Sequence, residues 1–226
     1  MQLCSKRYQQ TRRGSSIKRL RVCFLLPLIA LSLAFSSSVH AGNQKEEAIA
    51  DSVRLALAKV IADPRPPKPS FDKIEDRIKY LHWLGEMSDR LKRRIPDRQT
   101  RLELLETIWY ESKRAGLEPA MVMGLMQVES GFKKYATSIV GARGYMQVMP
   151  FWIKVVGRSD DNLFHLRTNL RYGCTILKHY LDIEKGDLFR ALGRYNGSLG
   201  RPEYPDAVRA AWERQWHYTP KAASRP

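Results

Sequence analysis

Over most of the chain from residue 46, apolar residues recur at three- and four-residue steps in segments set off by prolines and glycines, the pattern of packed amphipathic helices. Ile49, Val53, Ala56, Leu57 and Val60 mark a first helix over 46–62. The stretch Asp63–Ser70 then holds four prolines in eight residues, which favours a semi-rigid spacer and makes the first helix an appendage to a main domain. A second helix is predicted over 71–95, with Ile74, Ile78, Leu81, Leu84, Leu91 and Ile95 on its apolar side and Pro96 at its end. A third starts at an Asp97 cap, carries Leu102, Leu105, Ile108 and Trp109, and stops at Gly116. Pro119 suits a first helical turn, so 119–130 reads as a fourth helix closed by Gly131.

Residues 131–150 escape the helical period. Gly131, Gly141 and Gly144 indicate turns there, with a short extended piece over 145–149. Pro150 opens a short helix, 168–184 forms a longer one closed by Gly186, Asp187 caps another through Arg194, and Pro205 starts a last one ending at Trp216. A polar tail follows. Cys174 falls in line with Leu170, Leu177 and Leu181, which makes it a core residue rather than a reactive thiol.

The N-terminal 41 residues differ in kind. They carry seven Lys/Arg and no acid, then an apolar run from Val22 to Phe35, then three serines and the small-residue exit Val39-His40-Ala41. This is the build of a secretory signal peptide, expected to be cleaved after Ala41. A retained anchor is disfavoured, because a run of 14 residues interrupted by Pro27 falls short of the ~20 apolar residues that a spanning helix needs. Cys4 and Cys23 leave with the signal, so the mature chain holds Cys174 alone and no internal disulfide. The formal charge of +16 drops too, since 32 basic residues remain against 23 acids. That balance suits an anionic envelope surface, and no nucleic-acid-binding motif accompanies it. With 226 residues, 43% hydrophobic and 27% charged, one domain with an appendage is expected, and collagen-like, disulfide-dense or wholly disordered classes are excluded.

Glu129 breaks the pattern. Its neighbours three, four and seven residues back are Met126, Leu125 and Val122, so its carboxyl projects from an apolar stripe. Burial there disfavours the charged form and would let a glutamic acid donate a proton near neutral pH. Satisfaction by Arg143 or by backbone donors is the alternative that periodicity leaves open.

The residues around it bear on that choice. Glu129-Ser130-Gly131-Phe132, then Ala136, Ser138, Gly141-Ala142, Gly144, Met146-Gln147 and Met149-Pro150, and later Ala191 and Tyr195-Asn196, resemble the soluble lytic murein transglycosylase family. The resemblance implies a mainly α, lysozyme-like fold with a cleft for peptidoglycan glycan strands. The domain is expected over 71–226, with a catalytic core of about 117–218, after a signal (1–41) and a helix-plus-linker segment (42–70). By position, Glu129 matches the family's catalytic acid/base and Tyr195 the tyrosine whose hydroxyl lies near that carboxyl. Ser138, Gln147, Met149 and Asn196 match residues lining the sugar site. Gln147, an amide within an apolar YMQVM piece, can serve sugar hydroxyls or acetamides as donor and acceptor, or bond a loop instead. Asn196-Gly197 is also a common turn pair. The chain departs from the family at Lys134, where proline is common, and at Tyr145, where leucine is, which affects the cleft wall.

The resemblance implies cleavage of the MurNAc–GlcNAc β-1,4 bond without water, giving 1,6-anhydro ends, with no cofactor or metal. Hydrolases of such bonds generally use two carboxylates, and the matched blocks supply one. Asp182, Glu184 and Asp187 are the remaining candidates that a hydrolytic muramidase would draw on. A catalytically silent glycan-binding or envelope-assembly module is the third alternative. The expected location is the periplasm, with no stable membrane anchor once the signal is cleaved and no nucleic-acid partner.

Overall fold

The computed structural model describes residues 44–63 and 68–219. The signal segment, with Cys4 and Cys23, the prolines of the spacer at 64, 66 and 67, and the end of the polar tail lie outside the described residues. Among the described residues eight α-helices follow in order: α1 (Asp51–Ile61), α2 (Ile74–Leu91), α3 (Arg98–Arg114), α4 (Pro119–Ser130), α5 (Phe151–Val156), α6 (Leu166–Ile183), α7 (Leu188–Asn196) and α8 (Glu203–Ala211). A π-helical turn, Trp212–Trp216, extends α8. None of these helices is long and apolar enough to cross a membrane.

The caps are built as the sequence indicates. Asp97 accepts from the Thr100 amide at 2.7 Å at the start of α3, and Asp187 from the Arg190 amide at 3.0 Å at the start of α7. In α4, Pro119 occupies the first turn and the Glu118 carboxylate accepts from the Met121 amide. Gly131 closes α4 in the left-handed conformation, φ 57°. Nearly every residue of α4 from Pro119 to Met126 is buried, so this helix is the centre of the domain. It packs against α3, α8 and the π-helical turn. Contact with the turn is so close that a β-carbon on Gly124 would stand 2.9 Å from the Trp212 amide nitrogen and 3.0 Å from its Cα. Gly124→Ala therefore has to push α4 away from backbone, and a loss of about 1–3 kcal/mol is expected, read as a fall in the denaturant midpoint.

Two readings of the helices are corrected. The apolar side assigned to α2 holds at Leu84, Leu91 and Ile95 but not in the first turns: Ile74, Ile78 and Leu81 are exposed, while Tyr80, Trp83 and Met87 are buried. Aromatic area decides the register. Tyr80 and Trp83 meet the Trp109 ring at centroid distances of 5.1 and 4.9 Å, and Phe71 stacks on Tyr80. The first helix, for its part, does not stand apart as an appendage. α1 packs on α5 and α6, burying Ile61, with Ile49, Leu57 and Ala58 against the core. Cys174 is wholly buried, and desolvation with the nearby Glu111 charge pushes its thiol far up, as suits a core residue.

A buried charge cluster joins α3 to α6. The Glu111 carboxylate, without solvent exposure, accepts from Arg171 at 2.9 and 3.0 Å and from Arg114 at 2.7 Å. Arg114 also reaches the Thr175 hydroxyl, and Arg171 donates to the Asp63 carbonyl beyond the end of α1.

Candidate active site

Glu129 sits in the last turn of α4, where the helix gives way to the irregular segment 131–150. It is 6% exposed. The Tyr204 hydroxyl, carried in by α8, donates to its Oε1 at 2.5 Å. Tyr204 is buried, and desolvation together with the Glu129 charge holds its phenol well above the usual tyrosine range, so it remains a proton donor to the carboxyl. Sequence reasoning missed this residue. Its PEYP setting reads as a helix start, and nothing in the periodicity brings α8 across α4.

Tyr195, whose hydroxyl is expected near that carboxyl, hydrogen-bonds the loop. Its hydroxyl donates to the Met146 carbonyl at 2.8 Å, with the ring fully buried. Desolvation and then the Glu129 charge push its phenol up, which places it in the field of the carboxylate. The two tyrosines thus divide the work: Tyr204 bonds the acid, and Tyr195 holds the loop facing it.

That loop is pinned from several sides. The Ser130 hydroxyl donates to the Tyr145 carbonyl at 2.7 Å, tying it to the end of α4. Asn169 of α6, fully buried, accepts from the Met146 amide and donates to the carbonyls of Arg143 and Leu163, each at 2.8 Å. Gly144 is required beside it, because its φ is 76° and a β-carbon would stand 2.5 Å from the Asn169 amide. Asn169 is a second residue that sequence reasoning missed. A polar residue beside an apolar stripe was its one available signal. The extended piece expected over 145–149 is reduced to isolated pairings of Arg143 with Thr137 and Val148, and a turn takes the residues between.

The remaining site candidates distribute unevenly. Gln147, buried with φ 48°, spends both amide hydrogens on the carbonyls of Ala136 and Gly144, each at 3.0 Å. It therefore cannot donate to a sugar in this arrangement; only its carbonyl oxygen is left for a ligand. The Ser138 hydroxyl accepts from the Ala142 amide at 3.1 Å and shapes the loop rim, where Tyr135 and Ile139 are exposed. Met149 is partly buried against the core. Asn196 ends α7; its amide donates to the Ser198 hydroxyl at 3.1 Å, and its Oδ1 is buried without a hydrogen-bond partner.

The other carboxylates are engaged elsewhere. Asp182 pairs with Lys178, Glu184 with Arg190 and Arg194, and Asp187 caps α7. The hydrogen bonds from both arginines hold Glu184 below the usual carboxylate range. Among the described residues, no group of three or more His, Cys, Asp or Glu is placed to hold a metal.

A mainly helical domain whose central helix ends in one buried, tyrosine-bonded carboxyl is consistent with the lysozyme-like class. Residues 106–210 match the transglycosylase SLT domain. The transglycosylase of Enterobacteria phage PRD1 is 35% identical over 103 residues, 46% of this chain and 38% of that protein. Membrane-bound lytic murein transglycosylase C of Actinobacillus pleuropneumoniae serotype 5b (strain L20) is 51% identical over 39 residues, 17% of this chain and 11% of that protein. Its namesake from Mannheimia succiniciproducens is 41% identical over 32% of this chain and 23% of that protein. The chain thus spans under two fifths of the length of each of these relatives. No solved structure matches it.

Proposed function

We propose that this protein is an exported lytic transglycosylase acting on peptidoglycan in the periplasm. It cleaves the MurNAc–GlcNAc β-1,4 bond and leaves 1,6-anhydro ends. The observation that carries the reading is Glu129, buried at the end of α4 within the SLT segment and hydrogen-bonded by Tyr204. In this mechanism the protonated Glu129 gives its proton to the bridging oxygen, and the cationic centre is stabilised by the substrate's own N-acetyl group. The Glu129 carboxylate then takes the proton of the muramoyl 6-hydroxyl as that oxygen closes on the anomeric carbon. The acid is regenerated, and no water is consumed.

One carboxylate suffices for this sequence, whereas hydrolysis generally needs a second one as nucleophile or base. The engagement of Asp182, Glu184 and Asp187 in ion pairs and a cap supports the single-acid route. Asn196 Oδ1, buried and in want of a donor, is the acceptor assigned to a sugar hydroxyl or acetamido N–H. Mass analysis of fragments released from purified sacculi tests the whole reading. Products lighter by one water than reducing muropeptides are expected; reducing ends would make the protein a muramidase, and absence of release would make it a binding module.

Tyr204→Phe probes the acid itself. The phenol favours the ionised carboxyl, so its loss moves the alkaline limb of the pH–rate profile to higher pH while the rate at optimum falls about tenfold. An unchanged profile would show that the Tyr204 bond is irrelevant to proton transfer.

A further inference from the structure

Residues 44–63 lie outside the matched segment 106–210, yet they reach its centre. Gln44 is only 4% exposed. Its Oε1 accepts from the Trp152 indole N–H at 2.9 Å, a buried donor that has to find an acceptor. Its amide nitrogen, buried and without a hydrogen-bond partner of its own, stands beside the Tyr195 side chain. Three residues on, Glu47 pairs with Arg194 at 3.3 Å, next to Tyr195 on α7. The far end of the segment is fixed as well, since the Asp63 carbonyl accepts from Arg167 at 3.0 Å and from Arg171. Between these ends α1 is loosely seated: Leu55 faces solvent, and a cavity of about 670 Å³ lies between Val53, Leu57 and Val60 of α1 and Thr175, Lys178 and His179 of α6.

The two residues that Gln44 touches bracket the site loop. Trp152 follows its end at Pro150, and Tyr195 holds its middle through the Met146 carbonyl, the residue before Gln147. We propose that Gln44 is a positioning residue: its carbonyl oxygen fixes Trp152 and its side chain lies against Tyr195, and through them it sets the loop that carries Gln147 and Met149. This role rests on the glycan-cleaving reading given above. The segment before the family domain is thereby a working part of the site, held by contacts that can be loosened without opening the core.

The test is Gln44→Met, which keeps the volume and removes the polar atoms, assayed on soluble uncrosslinked glycan strands. Displacement of the loop by a fraction of an ångström is expected to lower kcat about tenfold, with KM unchanged within about twofold. The side-chain N–H resonance of Trp152, assigned with Trp152→Phe, shifts and exchanges faster in the same variant. If Gln44→Met fails to fold, Glu47→Gln reads the same role by releasing the segment from Arg194, with a smaller fall in kcat. An active wild type whose variant shows the Trp152 shift with kcat unchanged would overturn the positioning role alone, and a rise in kcat would overturn it in favour of a segment that obstructs the site. A wild type that releases no fragment would sink the cleaving activity and this role together.

Discussion

Glu129→Gln is expected to abolish glycan cleavage while leaving the melting temperature within a few degrees. The substitution is nearly isosteric, and its amide oxygen can still accept from the Tyr204 hydroxyl that now bonds Oε1. What disappears is the exchangeable proton. General acid catalysis contributes roughly 10²–10⁴-fold, and here one group has to serve as acid in the first half of the reaction and as base in the second. The fall is therefore expected at or beyond the upper end of that range, below detection in a sacculus assay. Circular dichroism and binding of glycan strands by the variant supply the controls. Activity within tenfold of wild type would require another acid, and the first to examine would be Glu184, freed from Arg190 and Arg194.

The fold was legible where local chemistry decides it. Pro119 at the start of α4, with Gly131 at its end, gave boundaries that agree with the structure, as did the caps Asp97 and Asp187. It was illegible where a choice between faces depends on partners far along the chain. The α2 helix offered two stripes, one of Ile74, Ile78 and Leu81 and one of Tyr80, Trp83 and Met87. Only the arrival of Trp109 from α3 selects the second. The candidate acid was visible because an ionisable group on an apolar stripe is costly wherever the helix goes. Its hydrogen-bond partner was not, because Tyr204 lies 75 residues away and reaches it only when α8 packs on α4. Gln147 shows the opposite limit. Its amide is chemically suited to a sugar, but the loop carbonyls of Ala136 and Gly144 claim it first.

The same dependence on distant partners governs stability at Glu111. This carboxylate, without solvent exposure, answers two guanidinium groups, Arg171 from α6 and Arg114 from its own helix. Glu111→Ala removes the carboxylate that the two guanidinium groups share and with it the joint between α3 and α6. Breaking a buried pair from one side costs about 3–5 kcal/mol, and for a domain of this size each kcal/mol lowers the melting temperature by roughly 2–4 °C. A fall on the order of 6–20 °C is therefore expected by calorimetry, larger than that for Gly124→Ala. The double variant Glu111→Leu with Arg171→Met should recover much of it, because apolar groups of similar volume do not carry the cost of an unpaired buried charge. Recovery would show that the cluster's strength lies in mutual compensation; a double variant no better than Glu111→Ala would show instead that the cost lies in the Arg114 charge left behind or in the lost Arg171 bond to the Asp63 carbonyl.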